Sequence, residues 1–415
     1  MTLDTPNPRP VNKPSILSAE RIDELIATYR DGLLHDTLPF WIDRCVDREY
    51  GGFMFARDRD GTLIDTDKGM WQQCRFVWLL ATLYNTVEKR EEWLELAQHG
   101  IDFIYRHGFD DDGRMFFLVT RDGRPLRKRR YVDAEAFGVA AFAAYAQATG
   151  DARAKQQATQ LFDLVDRYVT TPGLIPPKVD PQTRPSKALA VRMITIWIAQ
   201  NLRKIADDPD DYTRLIDAKI EEIERDFMKP EYQAVMEMVG PNGEIADHFE
   251  GRMLCPGHSI ETAWFILREA QGRQNAPQLI TLGTTMLDWM WKWGWDEEYG
   301  GIIYYRDIKG FPVQEYWQDM KFWWPQNEAI IATLMAYQMT GNEKYAEWHQ
   351  MIHDWTYRLF PDPEYGEWYG YLHRDGRISV ALKGNLWKSA FHLPRMQLEC
   401  WQVLEQIRAG RLASQ

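Results

Sequence analysis

The chain has 415 residues, a formal net charge of −12 and a sequence pI near 5.3, and 45 % of its residues are hydrophobic. This apolar content supports one large buried core, and the negative charge disfavours nucleic acids and anionic membranes as partners. No apolar run reaches the roughly 18 residues that a membrane-spanning helix needs. The four cysteines share no close spacing, which argues against structural zinc and favours a reducing, cytoplasmic location.

Residues 1–15 are polar and proline-rich, so they predict a flexible tail and lack the apolar core of a signal peptide. Helical periodicity begins after Ser18, a predicted N-cap, with Ile22, Leu25, Ile26, Tyr29 and Leu33 on one stripe. A second stripe, in residues 91–108, comprises Trp93, Leu96, Ala97, Ile101 and Ile104. No Pro/Gly/Ser-rich linker follows, so we predict a single domain over 16–408 and a C-terminal tail over 409–415.

An internal repeat interrupts the helical pattern. DREYGGFMFARDRDG at 47–61 resembles DEEYGGIIYYRDIKG at 296–310 and DPEYGEWYGYLHRDG at 362–376, with a weaker copy at 110–123. Each copy reads as a short hairpin-like loop, followed by an apolar helix. The unit of helix, hairpin loop and helix recurs every 50–65 residues or so, which is longer and less even than a typical solenoid repeat. About six units fit the chain, so we predict an all-α (α/α)6 barrel with β-hairpin loops on one rim.

Four of the predicted inner helices begin with polar side chains, which the barrel would direct into one central cavity. The i,i+3 pairs His258/Glu261 and His392/Arg395 each face one way at a helix start. The full set comprises Gln72 and Arg75, His258 and Glu261, Gln326, Asn327 and Glu328, and Lys388, His392 and Arg395. Taken singly, these residues also fit helix-dipole, buried ion-pair or packing roles. Their recurrence at one rim favours a shared site.

Several common chemistries match the sequence less well. The chain lacks GxGxxG after a strand, GxxxxGK[ST], HExxH and GxSxG motifs. A divalent metal is disfavoured because each histidine pairs with a group at i+3, unlike the i,i+4 histidine pair of helical zinc sites. A glycoside hydrolase would need two carboxylates across the scissile bond, for which Glu261 and Glu328 are the candidates.

Several of these segments together resemble the N-acylglucosamine 2-epimerase family. They are FEGRMLCPGHSIETAWF, DEEYGGIIYY, KFWWPQNEAI, DPEYGEWYGYLHRDG and LKGNLWKSAFHLPR, and the resemblance runs from about residue 20 to 405. It implies an (α/α)6 barrel, a homodimer, and a site that acts on a free monosaccharide. It also implies that no metal or redox cofactor is required, although ATP stimulates some members and is expected here as an allosteric activator at most.

The resemblance assigns roles residue by residue. PGHSIE makes His258 and Glu261 one catalytic pair, and FHLPR makes His392 and Arg395 a second. QCRFVW makes Arg75 the arginine near C1 and C2 of the sugar. WWPQNE supplies Glu328 for catalysis and Trp323 for the pocket wall. The remaining predicted substrate-binding residues are Gln72, Asn327, Trp387 and Lys388.

These groups suit epimerisation at C2 of an open-chain aldose. One imidazole removes the C2 proton, Arg75, together with Arg395, stabilises the enediolate, and a second imidazole returns a proton to the other face. Glu261 is expected to orient His258, and Glu328 to assist ring opening or to bind hydroxyls. The sequence does not say which histidine takes the proton.

The substrate stays open between two sugar pairs. Cellobiose 2-epimerases and mannose isomerases carry a further histidine on the helix that corresponds to RPSKALAVRMI, and none occurs here between Arg184 and Trp197. This difference favours the N-acylglucosamine branch, or mannose 2-epimerases that resemble it, over the cellobiose branch. Because the segment TRPSKALAV resembles the N-acylglucosamine branch, we favour N-acetylglucosamine/N-acetylmannosamine, with D-mannose/D-glucose as the alternative. The sequence is also compatible with an aldose–ketose isomerase, a glycoside hydrolase or a non-enzymatic sugar-binding barrel.

Overall fold

The first helices form as the apolar stripes predict. The computed structural model describes residues 16–129, 131–171, 173–176 and 180–413. The Ser18 hydroxyl accepts a hydrogen bond of 3.2 Å from the backbone N–H of Arg21 and caps α1 (Ala19–Asp31). All five apolar residues of the first predicted stripe are buried. A π-helical segment (Gly32–Thr37) joins α1 to α2 (Leu38–Cys45).

Within the described residues, helices alternate between an outer and an inner layer. The outer helices bury one face; besides α1 and α2 they are α4 (Glu91–His107), α6 (Ala152–Thr170), α8 (Pro209–Glu222), α10 (Pro277–Gly294) and α12 (Glu343–Leu359). The inner helices are buried on most sides and pack on one another in sequence order. They are α3 (Met70–Thr86), α5 (Asp133–Thr149), α7 (Leu189–Arg203), α9 (Pro256–Gly272), α11 (Trp323–Thr340) and α13 (His392–Ala413). This arrangement is the predicted (α/α)6 barrel.

Short antiparallel strands lie at the rim where the inner helices begin, and the predicted hairpin loops at 47–61, 296–310 and 362–376 are closed by the single β-bridges Val46–Phe53, Trp295–Ile302 and Pro361–Trp368. The strands are β1 (Lys68–Gly69), β2 (Leu118–Val119), β3 (Pro125–Arg127), β4 (Lys187–Ala188), β5 (Met228–Lys229), β6 (Ala234–Val235), β7 (Met238–Val239), β8 (Met253–Leu254), β9 (Arg306–Asp307), β10 (Lys321–Phe322), β11 (Tyr371–Leu372) and β12 (Ile378–Val380). They pair as β1-β2-β3, β10-β11-β12, β4-β7, β5-β6 and β8-β9. A second π-helical segment (Ile223–Phe227) follows α8.

The repeated D-x-E-Y-G loops explain how the hairpins hold the barrel together. In each of the three strong copies, the aspartate is buried and binds a buried lysine and an arginine from another hairpin. The trios are Asp47 with Lys68 and Arg121, Asp296 with Lys321 and Arg374, and Asp362 with Lys383 and Arg59. Because Arg59 lies in the first copy and Asp362 in the last, their ion pair closes the ring between the two ends of the chain.

The predicted chain ends need one correction. Helix α13 continues to Ala413, so residues 409–413 extend the helix and do not form a tail. Arg411 stabilises this end because its guanidinium donates hydrogen bonds to the Leu17 carbonyl and to the Tyr337 hydroxyl. The predicted tail at 1–15 lies outside the described residues. Every helix in the described ranges is too short or too polar to cross a lipid bilayer.

Candidate active site

A cavity of about 650 Å³ opens at the rim where the inner helices begin. Each of the six inner helices contributes side chains from its first turns. The lining residues from these helices are Trp71, Arg75, Phe137, Met193, Ile194, Trp197, His258, Glu261, Phe265, Trp323, Trp324, His392 and Arg395. The volume falls in the range of small-molecule sites, and the polar groups converge on an otherwise aromatic wall.

His258 lies in the first turn of α9 and pairs with a carboxylate that the sequence did not indicate. Its Nδ1 is 3.0 Å from both carboxylate oxygens of Glu237, which lies between β6 and β7. Burial opposes protonation of His258, but the Cys255 sulfur and the Glu237 carboxylate outweigh it and raise the His258 pKa well above its usual value. The prediction that Glu261 orients His258 is wrong, because Glu237 occupies that position.

His392 is the first residue of α13, and its pKa is shifted in the opposite direction to that of His258. Its Nδ1 is 2.7 Å from Oε1 of Glu328 on α11, and the second carboxylate oxygen of Glu328 accepts a hydrogen bond of 2.8 Å from the Trp264 indole. Burial and the guanidinium groups of Arg395 and Arg75 lower the pKa of His392 well below its usual value. Because a carboxylate accepts hydrogen bonds, Nδ1 carries the ring proton at neutral pH and leaves Nε2 as the basic nitrogen.

Arg395 holds two of the predicted catalytic carboxylates. One of its terminal nitrogens donates to Glu328 Oε1 at 2.7 Å and also to Glu261 Oε1. The guanidinium is almost completely buried, at 1 % exposure, so the pairing is shielded from water. Glu261 therefore lines the cavity as an ion-paired carboxylate, while Glu328 lies behind His392.

The two histidines meet on one tryptophan. The ring centroid of Trp324 lies 5.0 Å from that of His258 and 5.7 Å from that of His392. Both imidazoles line the same cavity, although 134 positions separate them in the chain. The fold thus brings the two predicted acid/base groups from different helices into one cavity.

Arg75 lies in an aromatic cage. Its guanidinium carbon is 4.2 Å from the centroid of Trp71, 4.0 Å from that of Phe137 and 4.4 Å from that of Phe391. Burial and the nearby Arg395 lower the pKa of Arg75 to about 9, so it stays charged at neutral pH. Among the described residues its Nε is buried without a hydrogen-bond partner, which leaves a donor free for a ligand.

Comparison with known proteins identifies the family. The model of N-acylglucosamine 2-epimerase (GlcNAc 2-epimerase) matches residues 51–393. The chain belongs to the N-acylglucosamine 2-epimerase family. Family membership makes the protein a carbohydrate epimerase, which is a class of isomerase.

Relatives of this epimerase fall into two named groups. A Bos taurus protein named N-acylglucosamine 2-epimerase is 33 % identical over 404 residues, which cover 95 % of each chain. A Dictyoglomus turgidum protein named cellobiose 2-epimerase is 22 % identical, over 89 % of this chain and 95 % of that protein. The solved structure of cellobiose 2-epimerase from Bacillus thermoamylovorans B4167 superimposes with a TM-score of 0.80 at 22 % identity, over 92 % of this chain and 99 % of that one, and this likeness shows the shared fold.

Three residues predicted to bind substrate lie outside the cavity lining of the epimerase. The Gln72 amide donates to the carbonyl of Asn385 at 2.8 Å, and the Lys388 ammonium binds Glu367 at 2.6 Å. Asn327 is fully buried. Gln72 and Asn327 lie near the starts of α3 and α11 but face into the protein, because neighbouring positions of one helix turn face different sides, and Lys388 lies buried in the segment before α13. Trp323 and Trp387 line the cavity as predicted.

The structure adds residues that the sequence analysis missed. Glu237 escaped notice because it lies in a loop between two-residue strands, 21 positions before its partner His258. Trp324 belongs to the motif KFWWPQNEAI, but no pattern distinguishes it from Trp323. Tyr304 lines the cavity from the second hairpin copy, and no pattern in the sequence indicates its placement.

Proposed function

We propose that the protein interconverts N-acetylglucosamine and N-acetylmannosamine by inversion at C2. The observation that carries this proposal is the pair of imidazoles that line one cavity, each held by its own carboxylate. Support for the N-acetyl sugar comes from the relatives at about 33 % identity, whose name gives that chemistry, against 22 % for a cellobiose-type relative. An apolar wall of Phe137, Met193 and Trp197 offers a surface for the acetamide methyl group.

In the direction in which the C2 hydrogen of the bound sugar faces His392, this histidine acts as the base. Its neutral imidazole takes the C2 proton through Nε2, while Glu328 accepts from Nδ1–H and stabilises the imidazolium that forms. The electron pair moves from C2 towards O1 of the open-chain aldehyde. Arg75 then stabilises the enediolate, because it approaches as a charged donor without a carboxylate partner.

His258 completes the inversion. The Glu237 carboxylate stabilises the imidazolium of His258, so this histidine is the proton donor for the opposite face of C2. In the reverse direction the two histidines exchange roles. After one turnover His392 carries an extra proton and His258 has lost one, so the total number of protons on the enzyme is unchanged. Proton exchange with water then restores the starting state of both histidines.

The arrangement weighs against a glycoside hydrolase. That reaction requires two carboxyl groups that flank the scissile bond. Glu261 is ion-paired to Arg395, and Glu328 lies behind His392 outside the cavity lining. The two candidates therefore do not present a free acid and a free base to a disaccharide.

The deciding experiment follows both sugars in heavy water. We expect either N-acetyl sugar alone to give a mixture of the two, with deuterium at C2 of the product, detected by NMR. D-Mannose, D-glucose and cellobiose are run in parallel, with and without ATP. Turnover of mannose but not of the N-acetyl sugars would move the assignment to the alternative pair, and a ketose product would make the enzyme an isomerase. Binding of all sugars without turnover would leave a sugar-binding barrel.

We also infer a cytoplasmic homodimer that needs no metal or redox cofactor. The four cysteines are free and buried, which suits a reducing compartment, and the family resemblance implies the dimer. Light scattering after size exclusion measures the dimer directly. A monomer that is fully active would overturn it.

A further inference from the structure

Three side chains with metal-binding atoms meet at the wall of the cavity, and one of them is the proton donor His258. Cys255 and His258 belong to the sequence CPGH that opens α9, and Glu237 approaches from the loop between β6 and β7. One ligand atom from each residue lies within 4.8 Å of the other two. His258 lines the cavity and is 28 % exposed through its side chain, so a small ion can reach the cluster from the sugar site.

We propose that Glu237, Cys255 and His258 form an inhibitory site for a thiophilic divalent cation such as Zn²⁺ or Cd²⁺. Sulfur, imidazole nitrogen and carboxylate oxygen are the ligands that Zn²⁺ takes in proteins. Three protein ligands leave the fourth tetrahedral position open for a water molecule.

The existing geometry needs little change to hold the ion. Metal–ligand bonds of roughly 2.0–2.3 Å place neighbouring tetrahedral ligands about 3.5 Å apart. His258 Nδ1 and the Glu237 oxygens are already 3.0 Å apart. Because the three ligand atoms lie within 4.8 Å of one another, the Cys255 sulfur has to move towards the other two ligands by about 1 Å. Among the described side chains, Glu237 hydrogen-bonds to His258 and pairs with no lysine or arginine, so only the imidazolium of His258, itself a ligand, competes for its carboxylate.

Binding is balanced by the release of two protons. The Cys255 thiol loses its proton, the imidazolium of His258 loses the proton on Nδ1, and both electron pairs coordinate the ion, while the Glu237 carboxylate binds without proton loss. The affinity consequently increases with pH. Bound to the ion through Nδ1, His258 has lost the charge with which it donates a proton to C2, so epimerisation stops; this consequence rests on the proposed function.

The binding experiment is independent of any activity. Cd²⁺ added to the full chain is expected to produce one equivalent of a thiolate-to-metal charge-transfer absorption in the ultraviolet, with a matching isothermal titration. Cys255→Ser should abolish the absorption and weaken Cd²⁺ binding by more than about 100-fold, because even changes outside the ligand shell cost 10–100-fold. Cys400→Ser, which alters another buried cysteine, is the matched control and should retain both signals.

If Cys255→Ser fails to fold, substitutions of the other two ligands test the site. His258→Asn and Glu237→Gln should each weaken binding, whereas His392→Asn should bind Cd²⁺ normally although it is inactive. An absorption that survives in Cys255→Ser, or wild-type protein that gives no saturable signal near one equivalent, overturns the site. In activity assays each protein is compared with its own metal-free rate, and Zn²⁺ should inhibit the wild type and Cys400→Ser but not Cys255→Ser. If the proposed function fails, the Cd²⁺ titration still decides the site.

Discussion

The Nδ1 atom of His392 lies 2.7 Å from Oε1 of Glu328, and the same oxygen accepts a hydrogen bond from Arg395 at 2.7 Å. Glu328 is fully buried and outside the cavity lining, so it acts through the histidine and not on the sugar. Burial raises the Glu328 pKa, and the charge and hydrogen bond of Arg395 oppose this rise. Glu328 thus fixes the tautomer of His392. The sequence had suggested this kind of orienting role for a different pair, Glu261 and His258.

Glu328→Gln should reduce kcat strongly and leave the fold intact. The glutamine amide no longer stabilises the imidazolium of His392, and a comparable change in a catalytic triad costs about 10⁴-fold; we expect about 10²- to 10⁴-fold here. The measurement is kcat for N-acetylmannosamine, together with circular dichroism. Glu399→Gln is the matched control, because Glu399 is an Arg-paired glutamate on α13 away from the sugar. A kcat within threefold of the wild type would contradict the role of Glu328.

His392 sets the acidic limit of activity. The base must be neutral, and its pKa is lowered by burial and by Arg395 and Arg75, so it stays neutral below pH 6.5. We therefore expect kcat/KM to remain flat as the pH falls through 6.5 and to decline only at a markedly lower pH. Initial rates measured in a series of buffers across the acidic pH range locate this limit. An acidic limb centred at 6.5 or above would show that the base is another group.

Much of the barrel and part of the site could be predicted from the sequence, for identifiable physical reasons. Helical stripes such as Ile22–Leu25–Ile26–Tyr29 are local patterns, and the D-x-E-Y-G repeat marks the hairpins directly. Both histidines were found because each opens an inner helix. Glu328 was also indicated, but its pairing with His392 was not, because contacts between α11 and α13 depend on which way side chains turn in three dimensions. Loop residues such as Glu237 carry no periodic signal at all.

Arg75→Met should remove most of the stabilisation of the enediolate. The guanidinium is held by three aromatic rings and makes no ion pair in the described structure, so methionine can fill its space among the rings without leaving a carboxylate unpaired. The loss of one donor to a developing oxyanion costs about 10²- to 10³-fold in kcat. Arg75→Lys should not restore activity fully, since an ammonium lacks the planar fork. Exchange of the C2 proton with deuterium oxide should slow in parallel with kcat; normal exchange in Arg75→Met would contradict this role.

Asp362→Asn should destabilise the whole barrel, because it opens the closure between the first and last hairpins. The substitution leaves Lys383, whose side chain is completely buried, without its carboxylate and releases Arg59. Breaking such a buried pair costs about 3–5 kcal/mol, whereas Asp375→Asn, at an exposed pair of the same segment, should cost less than about 1 kcal/mol. The native ion pairs hold the Asp362 pKa below its ordinary value, so the wild-type stabilisation is complete above the unfolded value near 4 and is lost as the pH falls towards the lower folded value. Urea unfolding at pH 7 and pH 3 measures both effects, and equal unfolding midpoints for the two variants at pH 7 would show that this ion pair does not hold the ring closed.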